Sequence, residues 1–179
     1  MPFAWPLTEK DEYTSVGVNF GDINIEFISF RVRFGIKDTK FKGFSGIAFK
    51  VVDSLEESIK SLKESELSYR VGEECEAHTT LSIEESQIFP TVFLVKYHFE
   101  TSGWVERLKK EFIECSGGNY HIARFKSLSV SNRIPNNLKN NFRINFGVKN
   151  QVCFESSNGE RAVISDLIEN LEIVITPKN

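Results

Sequence analysis

Few side chains in this sequence are placed to do chemistry. Glu26 lies inside the β-branched and aromatic run "INIEFISF" (23–30). On a strand, Ile23, Ile25 and Phe27 share one face, while Asn24, Glu26 and Ile28 share the other. A carboxylate among such neighbours is unusual. The histidines are His78, His98 and His121. In "TVFLVKYHF" (91–99), His98 alternates onto the face of Leu94 and Lys96. His121 follows a Gly-Gly-Asn turn, and His78 shares a polar-looking face with Glu76 and Thr80. Glu26 with two of these imidazoles makes an oxygen/nitrogen donor set of the kind that suits Zn, Mn, Fe or Ni. Each residue also has an ordinary reading: a strand-edge carboxylate paired with Lys or Arg, and imidazoles that are exposed or locally satisfied. Spacing alone does not bring the three together.

Other chemistries lack their signatures. There is no G-x-S-x-G elbow, no phosphate-binding P-loop and no dinucleotide fingerprint; "SGGNY" is a turn. The basic cluster "RLKKEF" (107–112) is flanked by Glu106 and includes Glu111, as a solvated helix face does. Cys75, Cys115 and Cys153 are odd in number and lack C-x-x-C spacing, so they read as small, partly buried hydrophobes. Unpaired thiols of this kind suit a reducing cytoplasm.

With 179 residues, 40% hydrophobic composition and 16 Phe, the chain can fill a sizeable core. The formal charge of −3 gives no general attraction to nucleic acid or anionic membrane. No apolar run approaches the roughly 20 residues that span a bilayer. "MPFAWPLTEKDEY" lacks the basic flank and apolar stretch of a signal peptide. The expected partners therefore exclude nucleic acid and membrane.

Positioning these side chains falls mainly to strands. "TSVGVNF" (14–20) and "INIEFISF" form a hairpin around Gly21-Asp22. "SGIAFKVV" (45–52) is a strand that leads into a helix, with Asp53 as N-cap and Glu56 closing a capping box. Leu55, Ile59 and Leu62 recur on one helical face. Strands follow at 68–74, 76–83 and 91–99, giving the order β-α-β-β-β. A second helix is predicted over 103–115, with Val105, Leu108 and Phe112 inward. A strand at 124–132, a weak helix at 134–142 and strands at 143–148, 151–156, 161–166 and 171–176 repeat that order with one strand more. The two units begin about 80 residues apart.

"FSGIAFKVVDSLEESIKSLKESEL" (44–67) resembles the module opening of the vicinal-oxygen-chelate superfamily, the group of glyoxalases, extradiol dioxygenases and antibiotic-resistance proteins. "VGVNFGDINIEFISF" is similar to the closing strands of a preceding module. The resemblance covers roughly residues 13–132 and extends to the C-terminal part by topology only. It implies an α+β fold of paired βαβββ modules in one glyoxalase-like domain over 1–179. Residues 13–34 would be strands of an incomplete first module, 44–100 the central module, 103–115 a connecting helix and 122–179 a C-terminal module. The curved sheets would form a cup for a small organic molecule, with a second copy of the chain or a C-terminal element completing the shortened first module. In many members the cup holds a divalent metal that acts as a Lewis acid. Glu26 would then be a ligand or general base, with His98 and His121 as further ligands. Gly46 stands where the family motif carries a histidine, which removes one expected ligand. Two functions follow as expectations: a binding protein for a small organic ligand, or a metal-dependent lyase, isomerase or dioxygenase. A third expectation is a structural dimer whose cup is filled by Phe.

Overall fold

The computed structural model describes residues 1–10, 13–30, 42–72, 75–83, 91–131 and 144–178. It is a mixed α+β structure dominated by strands. The described residues cluster into two compact units. One contains the chain up to Gly43, Ser102–Ser131 and the residues from Ile144 onward; the other contains Phe44–Thr101. No helix among the described residues is long and apolar enough to cross a membrane.

The first unit begins with a three-stranded antiparallel sheet, β1 (Phe3–Glu9), β2 (Tyr13–Asn19) and β3 (Asn24–Phe30), in that order. The β2–β3 hairpin turns where the sequence places it. Gly21 takes a φ of +85°, and Asn19 ties the turn by accepting from the Gly21 N–H at 3.0 Å. Strand β1 is not foreseen in the sequence, because Pro6 removes a backbone donor from its middle. It forms as an edge strand, where that donor is dispensable, and its pairing with β2 is irregular on both sides of Trp5.

Helix α2 (Ser102–Glu114) buries Leu108 and Phe112, two of the three residues its periodicity turns inward; Val105 is half-buried. The Trp104 indole donates to the Ala4 carbonyl at 2.8 Å and anchors α2 to β1. A five-stranded sheet follows, built from β8 (Ile122–Val130), β9 (Ile144–Phe146), β10 (Gln151–Ser156), β11 (Ala162–Ile168) and β12 (Leu171–Pro177). Its order is β11-β12-β10-β8-β9. Strand β10 runs parallel to β12 and antiparallel to β8. Phe154, fully buried, stacks on Phe20 with centroids 5.3 Å apart, so the two sheets of this unit share a core. The helix expected at 134–142 lies outside the described residues.

The second unit has strand β4 (Gly46–Lys50), helix α1 (Leu55–Glu64), then β5 (Tyr69–Val71), β6 (His78–Ile83) and β7 (Thr91–Tyr97). The element order β-α-β-β-β is the one expected over 44–100. The sheet order is β4-β7-β6-β5, with β4 parallel to β7 and the other pairs antiparallel. Leu62 of α1 is buried, as are Ile47, Phe49, Leu81 and Leu94. The pairings of this sheet and of the five-stranded sheet are not the same. The second has an extra strand, β12, between β10 and β11.

The helix start differs from the sequence reading by one residue. Ser54, not Asp53, is the N-cap: the Glu57 N–H donates to Ser54 Oγ at 3.1 Å, and the Ser54 N–H donates to Glu57 Oε2 at 3.0 Å. "DSLEE" contains both D-x-x-E and S-x-x-E, and the second is the box that closes. At the other end Glu66 adopts a φ of +54°. The Glu66 N–H donates to the Lys63 carbonyl and the Leu67 N–H to the Leu62 carbonyl, each at 3.0 Å. This is the Schellman arrangement, which usually places Gly at the left-handed position.

Candidate functional site

The most developed polar site is in the second unit, where the β4–α1 turn meets the ends of β6 and β7. The β6–β7 register sets Thr79 opposite Lys96, and the His98 N–H continues the ladder by donating to the Ala77 carbonyl at 3.0 Å. Two residues beyond Lys96, His98 returns to the same sheet face and reaches Thr79. Its Nε2 lies 2.8 Å from Thr79 Oγ1. Thr79 is buried and His98 is exposed, so the pair runs from the interior to solvent.

Beside this pair, Lys96 Nζ donates to the Asp53 carbonyl at 2.6 Å and ties β7 to the turn that starts α1. An ammonium has three donors, so this bond leaves further N–H capacity on Lys96. Asp53, Ser54, Glu56, Thr79, Lys96 and His98 line an open cleft of about 600 Å³, with Val52, Leu55 and Val71 as its apolar part. The capping bonds from the Ser54 backbone and hydroxyl hold the Glu57 carboxyl below its ordinary range, and the nearby Lys96 charge acts in the same direction. The arrangement therefore presents a hydroxyl–imidazole pair and an ammonium along one wall, with carboxylates opposite in sign at the helix start. These groups can donate and accept hydrogen bonds that orient a polar organic molecule.

The residues singled out in the sequence are placed as follows. His98 lies in this cleft, on the sheet face that meets the start of α1. Glu26 is half-buried on β3 in the first unit, in a cross-strand row with Gly17 and Trp5. His121, also in the first unit, is exposed at the end of the short 3-10 turn Gly118–Tyr120, with a φ of +48°. Its carbonyl accepts from the Ser157 N–H at 2.9 Å and from Ser157 Oγ at 3.2 Å. Among the described residues, no three His, Cys, Asp or Glu side chains are grouped to hold a metal ion. His78 lies on β6, its ring 6.3 Å from that of Tyr97. Gly46 opens β4, opposite Thr91.

Sequence reasoning missed Thr79 as the partner of His98, and Lys96 as a neighbour lining the same cleft. The available signal was the alternation of Lys96 and His98 on one face. The hydroxyl that His98 meets follows from the β6–β7 register, which neither strand encodes alone.

A second concavity, of about 340 Å³, lies in the first unit near Asn150 and Glu172. Its polar groups bond to one another. Asn150 Oδ1 accepts from the Ser131 N–H at 3.0 Å, and Asn150 Nδ2 donates to the Asn170 carbonyl at 3.0 Å. That network fastens a turn.

No family model, no curated protein and no solved structure matches this chain.

Proposed function

We propose that the protein binds a small organic molecule, and that the cleft at the start of α1 holds it. The observation that carries this reading is the buried Thr79 hydroxyl bonded to the exposed His98 imidazole, next to Lys96 in one cleft. Small-molecule sites are concave, largely apolar surfaces with a few convergent polar groups that fix orientation. The cleft supplies the convergent polar groups, with Val52, Leu55 and Val71 as a smaller apolar part, and it is open to solvent. The strand–helix–three-strand order of this unit supports the glyoxalase-like reading of its fold, and ligand binding within such a module is what that resemblance implies.

Thermal-shift screening of small carboxylates, amines and sugars tests the assignment. A compound that raises the unfolding temperature of the wild-type chain is expected to lose its effect in both Thr79→Val and Lys96→Ala. Stabilisation that persists in both variants, or a screen with no stabilising compound, overturns it. The metal-dependent alternative, a lyase, isomerase or dioxygenase, rests on the half-buried carboxylate of Glu26 alone. Metal analysis of protein purified without chelator, compared with Glu26→Ala, decides that reading separately.

A further inference from the structure

The five-stranded sheet carries a buried carboxylate flanked by cations from the strands on either side. Glu155 on β10 is buried, and the registers set it opposite Arg124 of β8 on one side and Thr176 of β12 on the other. The three side chains therefore form a row on one face of the sheet. Arg124 Nε donates to Glu155 Oε2 at 2.6 Å. Lys126 is the extra residue of a bulge between Phe125 and Ser127, which stand opposite Phe154 and Cys153. Its Nζ lies 3.8 Å from Glu155 Oε1 and donates to Thr176 Oγ1 at 3.4 Å. Just past β12, the Lys178 N–H donates to the Ser156 carbonyl at 3.0 Å, and the Lys178 charge also acts on Glu155.

Two features set this cluster apart from an ordinary surface ion pair. A guanidinium has five N–H donors. Arg124 uses the one on Nε for Glu155, and no other described residue accepts from it. Its terminal fork is thus held by a buried group while the side chain is 49% exposed. The second feature is charge. Arg124, Lys126 and Lys178 meet the single carboxylate of Glu155, a local positive excess on a chain whose formal charge is −3. Asp22, which acts on Arg124 from the β2–β3 turn, offsets only part of that excess.

We propose that this face of the five-stranded sheet binds a phosphate group, with the Arg124 fork and the Lys126 and Lys178 ammonium groups as its donors. A phosphate monoester carries about −1.5 to −2 charges at pH 7 and three acceptor oxygens, so it matches both the local charge and the planar fork. A carboxylate, with one charge, matches the fork alone. The site lies wholly within the first unit and shares no residue with the cleft at the start of α1.

The test titrates inorganic phosphate, glycerol phosphate and acetate into the isotope-labelled full chain at neutral pH and constant ionic strength, following backbone amide resonances. Phosphate is expected to shift amides of β8, β10 and β12 saturably and to leave those at the start of α1 in place. Acetate is expected to bind about tenfold more weakly. Arg124→Lys, which keeps the charge and loses the fork, and Lys126→Gln are each expected to weaken phosphate about tenfold. Binding of glycerol phosphate as well would assign the site to a phosphorylated organic molecule, and binding of inorganic phosphate alone to the free ion. Shifts that do not saturate or that fall elsewhere, equal binding of acetate, or unchanged phosphate affinity in both variants overturns the proposal. If Arg124→Lys opens the fold, the double variant Lys126→Gln and Lys178→Gln replaces it, and an unchanged affinity there overturns the proposal in the same way.

Discussion

The indole of Trp5 fills the space where a side chain on Gly17 would begin. A Cβ at Gly17 would lie 2.3 Å from two carbons of the ring, closer than carbon atoms approach. The two residues are cross-strand partners in the β1–β2 ladder, and Glu26 follows Gly17 in the same row on β3. Gly17 is thus small for packing rather than for backbone conformation.

Gly17→Ala is therefore expected to displace the indole and to destabilise the protein by about 1–3 kcal/mol, the usual cost of overpacking. Trp5→Ala should lower stability through a cavity, and the double variant should lose less than the sum of the two. Urea unfolding midpoints of the four proteins check this. Additive losses would mean that the indole does not depend on the missing side chain.

Glu66 sits at the left-handed position after α1, where a Cβ costs about 1–2 kcal/mol relative to a conformation it prefers. Glu66→Gly is expected to raise stability by about 0.5–1 kcal/mol, part of the relief being offset by the greater freedom of glycine in the unfolded chain. A higher denaturant midpoint with an unchanged slope is the expected reading.

Ser54→Ala removes the hydroxyl that accepts from the Glu57 N–H and should cost about 1 kcal/mol. Asp53→Ala, which leaves that bond in place, should cost less. Thermal unfolding of the two variants compares them directly. The opposite order would return the cap to Asp53.

Acid should weaken the fold through Glu155. The Arg124 side chain donates to it at 2.6 Å, and Lys126 lies 3.8 Å away, so its carboxyl is held below the ordinary value near 4.5. A carboxyl whose folded value is lowered contributes stability above its unfolded value, and that contribution is lost as pH falls through the folded value. Glu57, held down by Ser54, and Glu172, held down by Lys149 and Gln151, act in the same direction. The unfolding temperature is expected to fall as pH drops below about 5, and Glu155→Gln should flatten part of that fall. A variant whose acid limb matches the wild type would show that the Arg124 pair contributes nothing measurable.

Strand alternation and helical periodicity were sufficient to read most elements, because each depends on the nearest few residues. The hairpin at Gly21, the inward face of α2 and the order of β4 to β7 are of this kind. Strand β1 was hidden by Pro6, since a proline weighs against a strand unless the strand is known to be at an edge. The start of α1 was misplaced by one residue because two capping patterns overlap in five letters. The site was less legible. His98 was visible as a titratable group, but its partner Thr79 is 19 residues away on another strand and is selected by register. Glu26 stands out by composition, yet its neighbours Gly17 and Trp5 come from a hairpin and from the strand that was not foreseen.

Strand β12 lies between β11 and β10, although it follows both in the chain. Strand β12 is what joins β11 to the rest of the sheet, pairing antiparallel with β11 on one side and parallel with β10 on the other. It acts as a keystone: shortening Leu171–Pro177 would unseat β11 as well, so damage to one strand spreads to a neighbour that is itself intact.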